Sequence, residues 1–333
     1  MKRRARAGSR PRVGAIIPLS LSLAGLVLAC ASPAFAYVRY RAAAPLGGLG
    51  APYAWGRTSV SILGYPHGLP SMPVDQIGAA MAAAVAAWSK DDAVNGTCSF
   101  LDLSLSVQSV DAIPPAADHD DVNTIALRDG VWTEICTKMK DGTTVCHQPG
   151  ELALTTVWSR SCGEIVEADV EVNADTSSPS AFMWADLSLT TTNGGYHDLQ
   201  NALTHEMGHF IGLDHTCELA PGAAAGEVDN LGNPVPDCSD ATVAEMEATM
   251  YPSSEAGDQT KRTLSQDDRD GLCAIYPLGQ NPKTCGLTSG SSGGCAVAPD
   301  TAAANGPRAV RWFAITGGAL ALGVFLAARR RRS

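Results

Sequence analysis

One dodecapeptide constrains this chain more than any other feature. Residues 204–215 read THEMGHFIGLDH. His205 and His209 are four apart, so on a helix they share a face and aim their rings at one point. Glu206 is one step round the helix and reaches the edge of that point. Gly212 can take the left-handed conformation that ends a helix and turns the chain sharply. The turn returns His215 to the same point. A fold that honours this stretch must end a helix at Gly212 and keep three imidazoles together.

The chemistry follows from the ligand count. Three neutral imidazoles suit zinc and leave its fourth tetrahedral position open, which distinguishes catalytic from structural zinc. Zinc held this way lowers the pKa of its water to about 7. Glu206 then fits as the base that takes the water's proton and the acid that passes it to a departing amine. Leu199, Leu203, Met207 and Phe210 supply the same helix with core contacts. Packing accounts for those four but not for three histidines and a glycine.

Charge is divided along the chain. Six basic residues lie in 1–12 and six more at 308–332. Between residues 37 and 307, 12 basic residues remain against all 34 acidic ones. A body so acidic argues against nucleic acid as a partner and is compatible with divalent cations. The basic start, the apolar run 14–29 and Ala34-Phe35-Ala36 read as a secretory signal peptide over residues 1–36, with Tyr37 the expected mature start. Leu28-Ala29-Cys30 resembles a lipoprotein lipobox more weakly. Residues 312–328 are apolar and precede four arginines, which reads as a short membrane span with the body exported and tethered. A Cys in a Gly/Ser-rich stretch (Cys295), the apolar span and the arginine cluster resemble the sorting tails of myxobacterial surface proteins.

The expected organisation is therefore a signal peptide (1–36), a body (37–278), a Gly/Ser/Pro/Ala-rich linker (279–308) and a tail (309–333). The eight cysteines from Cys98 to Cys285, in an exported chain, read as disulfides. Cys136 with Cys146 would flank a turn at 140–142, and Cys217 with Cys238 would staple the loop after His215. The remaining pairings stay open. Alternation predicts strands over 58–63, 100–107, 122–127 and 165–173, and a hairpin with a further strand over 131–158. In 100–107, Leu101, Leu103, Leu105 and Val107 are expected inward. In 165–173, Val166, Ala168, Val170 and Val172 are expected inward and Glu167, Asp169 and Glu171 outward. Helical spacing over 74–89 puts Ile77, Met81, Ala84 and Trp88 on a core stripe. Asp198 is placed to cap the motif helix, and Ser265 with Asp268 to cap a last helix over 265–276.

The extended motif HExxHxxGxxH resembles that of the metzincin zinc endopeptidases. Thr249-Met250-Tyr251-Pro252 is similar to their Met-turn. Leu264-Ser265-Gln266-Asp267-Asp268, Asp270-Gly271 and Ala274-Ile275-Tyr276 resemble the closing helix of the matrixin branch, and Trp88-Ser89 also fits. The resemblance covers roughly residues 52–278 and is dense from 198 to 277. It implies an α/β zincin: a twisted mixed five-stranded sheet, two long helices, and a small C-terminal subdomain with a third helix. It makes His205, His209 and His215 the Zn2+ ligands, Glu206 the catalytic residue, Gly212 and Met250 supports of the site, and residues 251–263 the wall of a specificity pocket. Strand 165–173 resembles the edge strand that pairs with extended peptide substrate.

No cysteine-switch segment precedes the fold. Asp118, His119, Asp120 and Asp121 read as a solvated acidic loop or as a Ca2+ site. His67, His119 and His147 are expected at the surface. The expected function is that of an exported monomeric zinc endopeptidase acting on protein or peptide. A binding module on the same scaffold and a zinc amidase are the alternatives.

Overall fold

In the computed structural model the described residues are 36–42, 49–90, 92–112, 114–138, 144–177, 181–189, 194–220, 226–285 and, as backbone, 308–317. They belong to one compact unit. The signal peptide, the turn at 140–142, Cys295 and residues 318–333 of the tail lie outside them.

Two short strands open the fold, β1 (Val38–Arg39) and β2 (Ala54–Trp55). β3 (Ser59–Tyr65) leads into helix α1 (Val74–Trp88). Pro73 fixes the extended φ before α1, and Ile77, Ala80, Met81, Ala84, Val85 and Trp88 form its buried stripe. β4 (Asp102–Val107), β5 (Thr124–Arg128), the hairpin β6 (Cys136–Lys138) with β7 (Thr144–Cys146), β8 (Glu151–Ser159) and β9 (Glu164–Asn173) follow. Next come β10 (Met183–Ala185), β11 (Tyr196–Asp198), the motif helix α2 (Leu199–Phe210) and β12 (Leu213–Asp214). Helix α3 (Val243–Glu247), β13 (Ser253–Ser254), helix α4 (Gln266–Ile275) and β14 (Arg308–Gly317) complete the order.

The result is mixed α/β with a mostly parallel central sheet. Strand order is β13-β14-β8-β9-β5-β3-β4, with β2 also on β9. β3, β4, β5 and β9 are mutually parallel neighbours, and β8 runs antiparallel to β9. Among the described residues the sheet has eight strands, with β2, β13 and β14 joining β3, β4, β5, β8 and β9. Helices α1 and α2 share one core with the sheet, in which Trp88, Leu203, Met207, Ile125 and Val170 are all buried.

Alternation within β4 weakens toward its end. Leu101 and Leu103 are buried, but Leu105 is half-buried and Val107 is exposed. β4 is the last strand of the described sheet, and Val107 lies over Gly78 of α1, which brings no side chain to cover it.

β9 corrects two expectations. It lies inside the sheet between β5 and β8, so the long strand nearer the sheet's open side is β8. Its polar side chains are also buried. A register shift opposite Trp158 and Ser159 makes a bulge near Val166, so Ile165 joins the core and Val166 packs outside it against Trp158 and Ala117. Glu167 accepts from the backbone of Asp120 and Asp121 and meets His119 Nδ1 at 2.7 Å. Asp169 accepts from Thr124 N and Oγ1. Glu171 pairs with Arg128, and His147 Nε2 lies 3.1 Å from it. The loop over 114–123 and His147 thus cover this face, and His147 is buried rather than superficial. Alternation counted the polar side of β9 correctly but could not reveal that loops roof it.

The roof has an electrostatic consequence. Burial, with the charges of Glu167 and Glu171 beside it, pushes the Asp169 carboxyl well above the ordinary carboxylate range, despite its Thr124 bonds. A raised folded-state pKa means the carboxyl favours folding at acid pH, and that contribution disappears as pH rises through the folded value. Asn keeps the oxygen that accepts from Thr124 and drops the charge. Asp169→Asn is therefore expected to raise Tm at pH 8, with the gain shrinking as pH falls toward the ordinary carboxylate range. A gain that grew on acidification would refute this.

Four disulfides form among the described residues: Cys98–Cys273, Cys136–Cys146, Cys162–Cys285 and Cys217–Cys238. The two local pairings match those expected, and the two long-range ones tie the start of β4 to α4 and the turn after β8 to the start of the linker. Among the described residues no helix is long and apolar enough to cross a membrane, and residues 312–317 lie in β14.

Candidate metal centre

Helix α2 starts where Asp198 accepts from Asn201 N at 2.8 Å. Arg262 pairs with the same carboxylate and fixes it. At the other end Gly212 has φ 97°, and an added Cβ would lie 2.6 Å from Tyr53 O. Both facts demand glycine. The last carbonyls of the helix, which have no intrahelical donor, are capped individually. Trp55 Nε1 donates to Phe210 O, Tyr276 Oη to Ile211 O and Tyr40 N to Gly212 O. β1 then pairs with β12, holding Leu213 and Asp214 immediately before His215.

These constraints bring the three histidines together. Ring centroids are 4.9 Å apart for His205 and His209, 5.3 Å for His205 and His215, and 4.7 Å for His209 and His215. One nitrogen from each lies within 4.8 Å of the others. His205 Nδ1 is 2.7 Å from Thr249 O, and His209 Nδ1 is 3.0 Å from Leu213 O. A carbonyl only accepts, so each Nδ1 carries the proton and each Nε2 presents a lone pair. His205 Nε2 is buried and makes no hydrogen bond. His209 Nε2 and His215 Nε2 face each other at 3.1 Å.

Burial pushes His209 down to about 3 and holds His205 and His215 well below the ordinary imidazole range. Neighbouring imidazoles and Lys261 add to the depression of His205 and His215. The rings are therefore neutral, as ligation requires. Buried, neutral and convergent nitrogens with their outer atoms fixed to carbonyls fit a soft-to-borderline divalent cation.

Glu206 is fully buried beside them. Thr155 Oγ1, on β8, donates to Glu206 Oε2 at 2.6 Å. The sequence carried no signal for Thr155. It also gave none for Gly208, which stands where Met250 passes: an added Cβ would meet Met250 Sδ at 2.1 Å and Trp88 Cζ2 at 3.0 Å. Met250 is thus packed directly against α2. Gly208→Ala is expected to lower stability by about 1–3 kcal/mol through overpacking, read as a reduced midpoint in urea. A midpoint at or above that of the parent chain would contradict the packing described.

The turn carrying Met250 is itself anchored. Asp268 Oδ2 accepts from Thr249 N at 2.8 Å and from Ser265 N at 3.0 Å. The N-cap of α4 therefore fixes Thr249, whose carbonyl orients His205. Lys261, buried, donates to Tyr251 O and Ser253 O and pins the segment after Met250. Burial lowers it to about 8. The loop at 118–121 places His119 and Asp121 near Glu167, while Asp118 and Asp120 accept from their own loop's backbone. A separate cavity lined by His67, Asp111, Arg128 and Asp129 shares no residue with the histidine cluster.

No family model matches this chain, and no curated protein matches it significantly.

Proposed function

We propose that the chain is an exported zinc endopeptidase of metzincin type, with a matrixin-like zincin fold. The observation that carries the reading is the buried, unpartnered Nε2 of His205 facing the Nε2 atoms of His209 and His215. His205, His209 and His215 hold the metal, and Thr249 and Leu213 orient two of them. Zinc bound there supplies Lewis acidity and a more acidic water. Glu206, one residue from a ligand and fixed by Thr155, accepts the proton of the attacking water and delivers it to the departing amine. Gly212 and Met250 keep the geometry.

The peptide lies in an extended conformation along the outer side of β8, not β9, and the segment from Tyr251 to Thr263 walls the pocket beside the metal. Lys261 keeps that wall in place. A peptide-library digest with the zinc-loaded chain, a chelated sample and Glu206→Ala tests the reading. Cleavage in the first sample alone supports it. Cleavage that persists in either control refutes the mechanism. Zinc binding with no cleavage of any peptide would favour a binding module or an amidase.

A further inference from the structure

β14 occupies an unexpected place. It runs antiparallel to β8, pairing Arg308 with Ser159, Phe313 with Thr155 and Thr316 with Glu151. On its other side Ser253 and Ser254 of β13 pair with Thr316 and Gly317 in parallel. The tail segment therefore fills the slot between the outer edge of β8 and the segment that follows Met250. Its backbone at 313–314 stands opposite Thr155, the residue that holds Glu206.

Three further facts favour this segment as the slot's occupant. A nine-residue edge strand presents a row of unpaired N–H and C=O groups, which calls for a cover. All nine residues of β8 are buried. The disulfide Cys162–Cys285 roots the tail in the turn just beyond Ser159, where β14 begins its pairing. A connection of 22 residues reaches at most about 75–80 Å, ample for the return. Tethering makes the local concentration of the segment on the order of millimolar, ahead of most free peptides.

We infer that the slot beside β8 binds the chain's own segment Arg308–Gly317 as an intramolecular strand, and that other extended peptides enter only when this segment leaves. The same residues head the apolar run 312–328, so residues 312–317 cannot sit in the slot and in a bilayer at once. Insertion of the tail into lipid would thus open the slot. As a statement about regulation this rests on the endopeptidase reading. As a statement about occupancy it does not.

Amide hydrogen exchange on the full chain with chelator present measures occupancy without turnover. A proline pair at Ala314→Pro and Ile315→Pro removes two successive backbone donors from β14, one on the edge facing β8 and one on the opposite edge. Amides in 151–159 are expected to exchange at least tenfold faster in that variant, with β3 and β5 unchanged as evidence of an intact fold. Adding a synthetic peptide of residues 308–317 is expected to restore protection. Phosphatidylethanolamine–phosphatidylglycerol vesicles are expected to speed exchange in the parent chain as the proline pair does. Equal exchange of 151–159 in parent and variant overturns the inference, and indifference to vesicles overturns the lipid-driven release. If the zinc-loaded variant deprotects β8 yet cleaves no peptide, occupancy stands and the endopeptidase reading falls. If it cleaves a reporter peptide tenfold or more faster than the parent, both stand.

Discussion

Glu206→Gln is expected to lower kcat/KM for peptide hydrolysis by about 10²–10⁴ without loss of zinc. Glutamine has the shape of glutamate, and its carbonyl oxygen still accepts from Thr155 Oγ1, which donates to Glu206 at 2.6 Å. His205 and His209 keep their carbonyl contacts, and the three rings keep their mutual spacing. What disappears is a basic oxygen within reach of the attacking water. Metal content by elemental analysis and Tm should therefore match the parent chain while turnover collapses. Retained turnover would assign the base elsewhere. Loss of zinc would make Glu206 a ligand, contrary to the three-imidazole site.

The second large effect concerns stability. Two ring nitrogens face each other at 3.1 Å and a third is buried without a hydrogen bond, an arrangement that gains when one cation satisfies all three. After chelation, added zinc is expected to raise Tm at one equivalent per chain. Free zinc at a thousand times its Kd adds about 4 kcal/mol. For a body of this size that is a rise of roughly 8–16 °C. His209→Ala should remove the shift while a substitution at exposed His67 should leave it. A Tm indifferent to zinc in the parent chain would sink the metal centre.

Much of this was legible from residues alone, for local reasons. Capping and periodicity are set by neighbours in sequence, so α1, the N-cap at Asp198 and the Ser265–Asp268 capping box fall where the chain places them. The motif is local as well: a one-turn spacing followed by a glycine fixes two rings and directs the third. Cys136 with Cys146 and Cys217 with Cys238 close short loops and needed no fold to suggest them.

Longer-range relations were not legible. Alternation in β9 says which residues share a face but not what covers that face, so the burial of Glu167, Asp169 and Glu171 emerged only with the loop over 114–123 and His147 folded against them. Which strand lies nearer the sheet's end depends on sheet order, a property of all the strands together, and so β8, between β9 and β14, took the place that pattern had assigned to β9. The tail illustrates the same limit most sharply. Its apolar run was read as a membrane span, and composition cannot tell a membrane from a sheet edge. Thr155 on Glu206, Gly208 beneath Met250 and Asp268 on Thr249 are contacts across 51, 42 and 19 positions. Sequence by itself determined that three imidazoles and a carboxylate stand within one short stretch. Only tertiary packing decided how they are buried, oriented and overlain, because burial and hydrogen bonding are set by whatever the rest of the chain brings alongside.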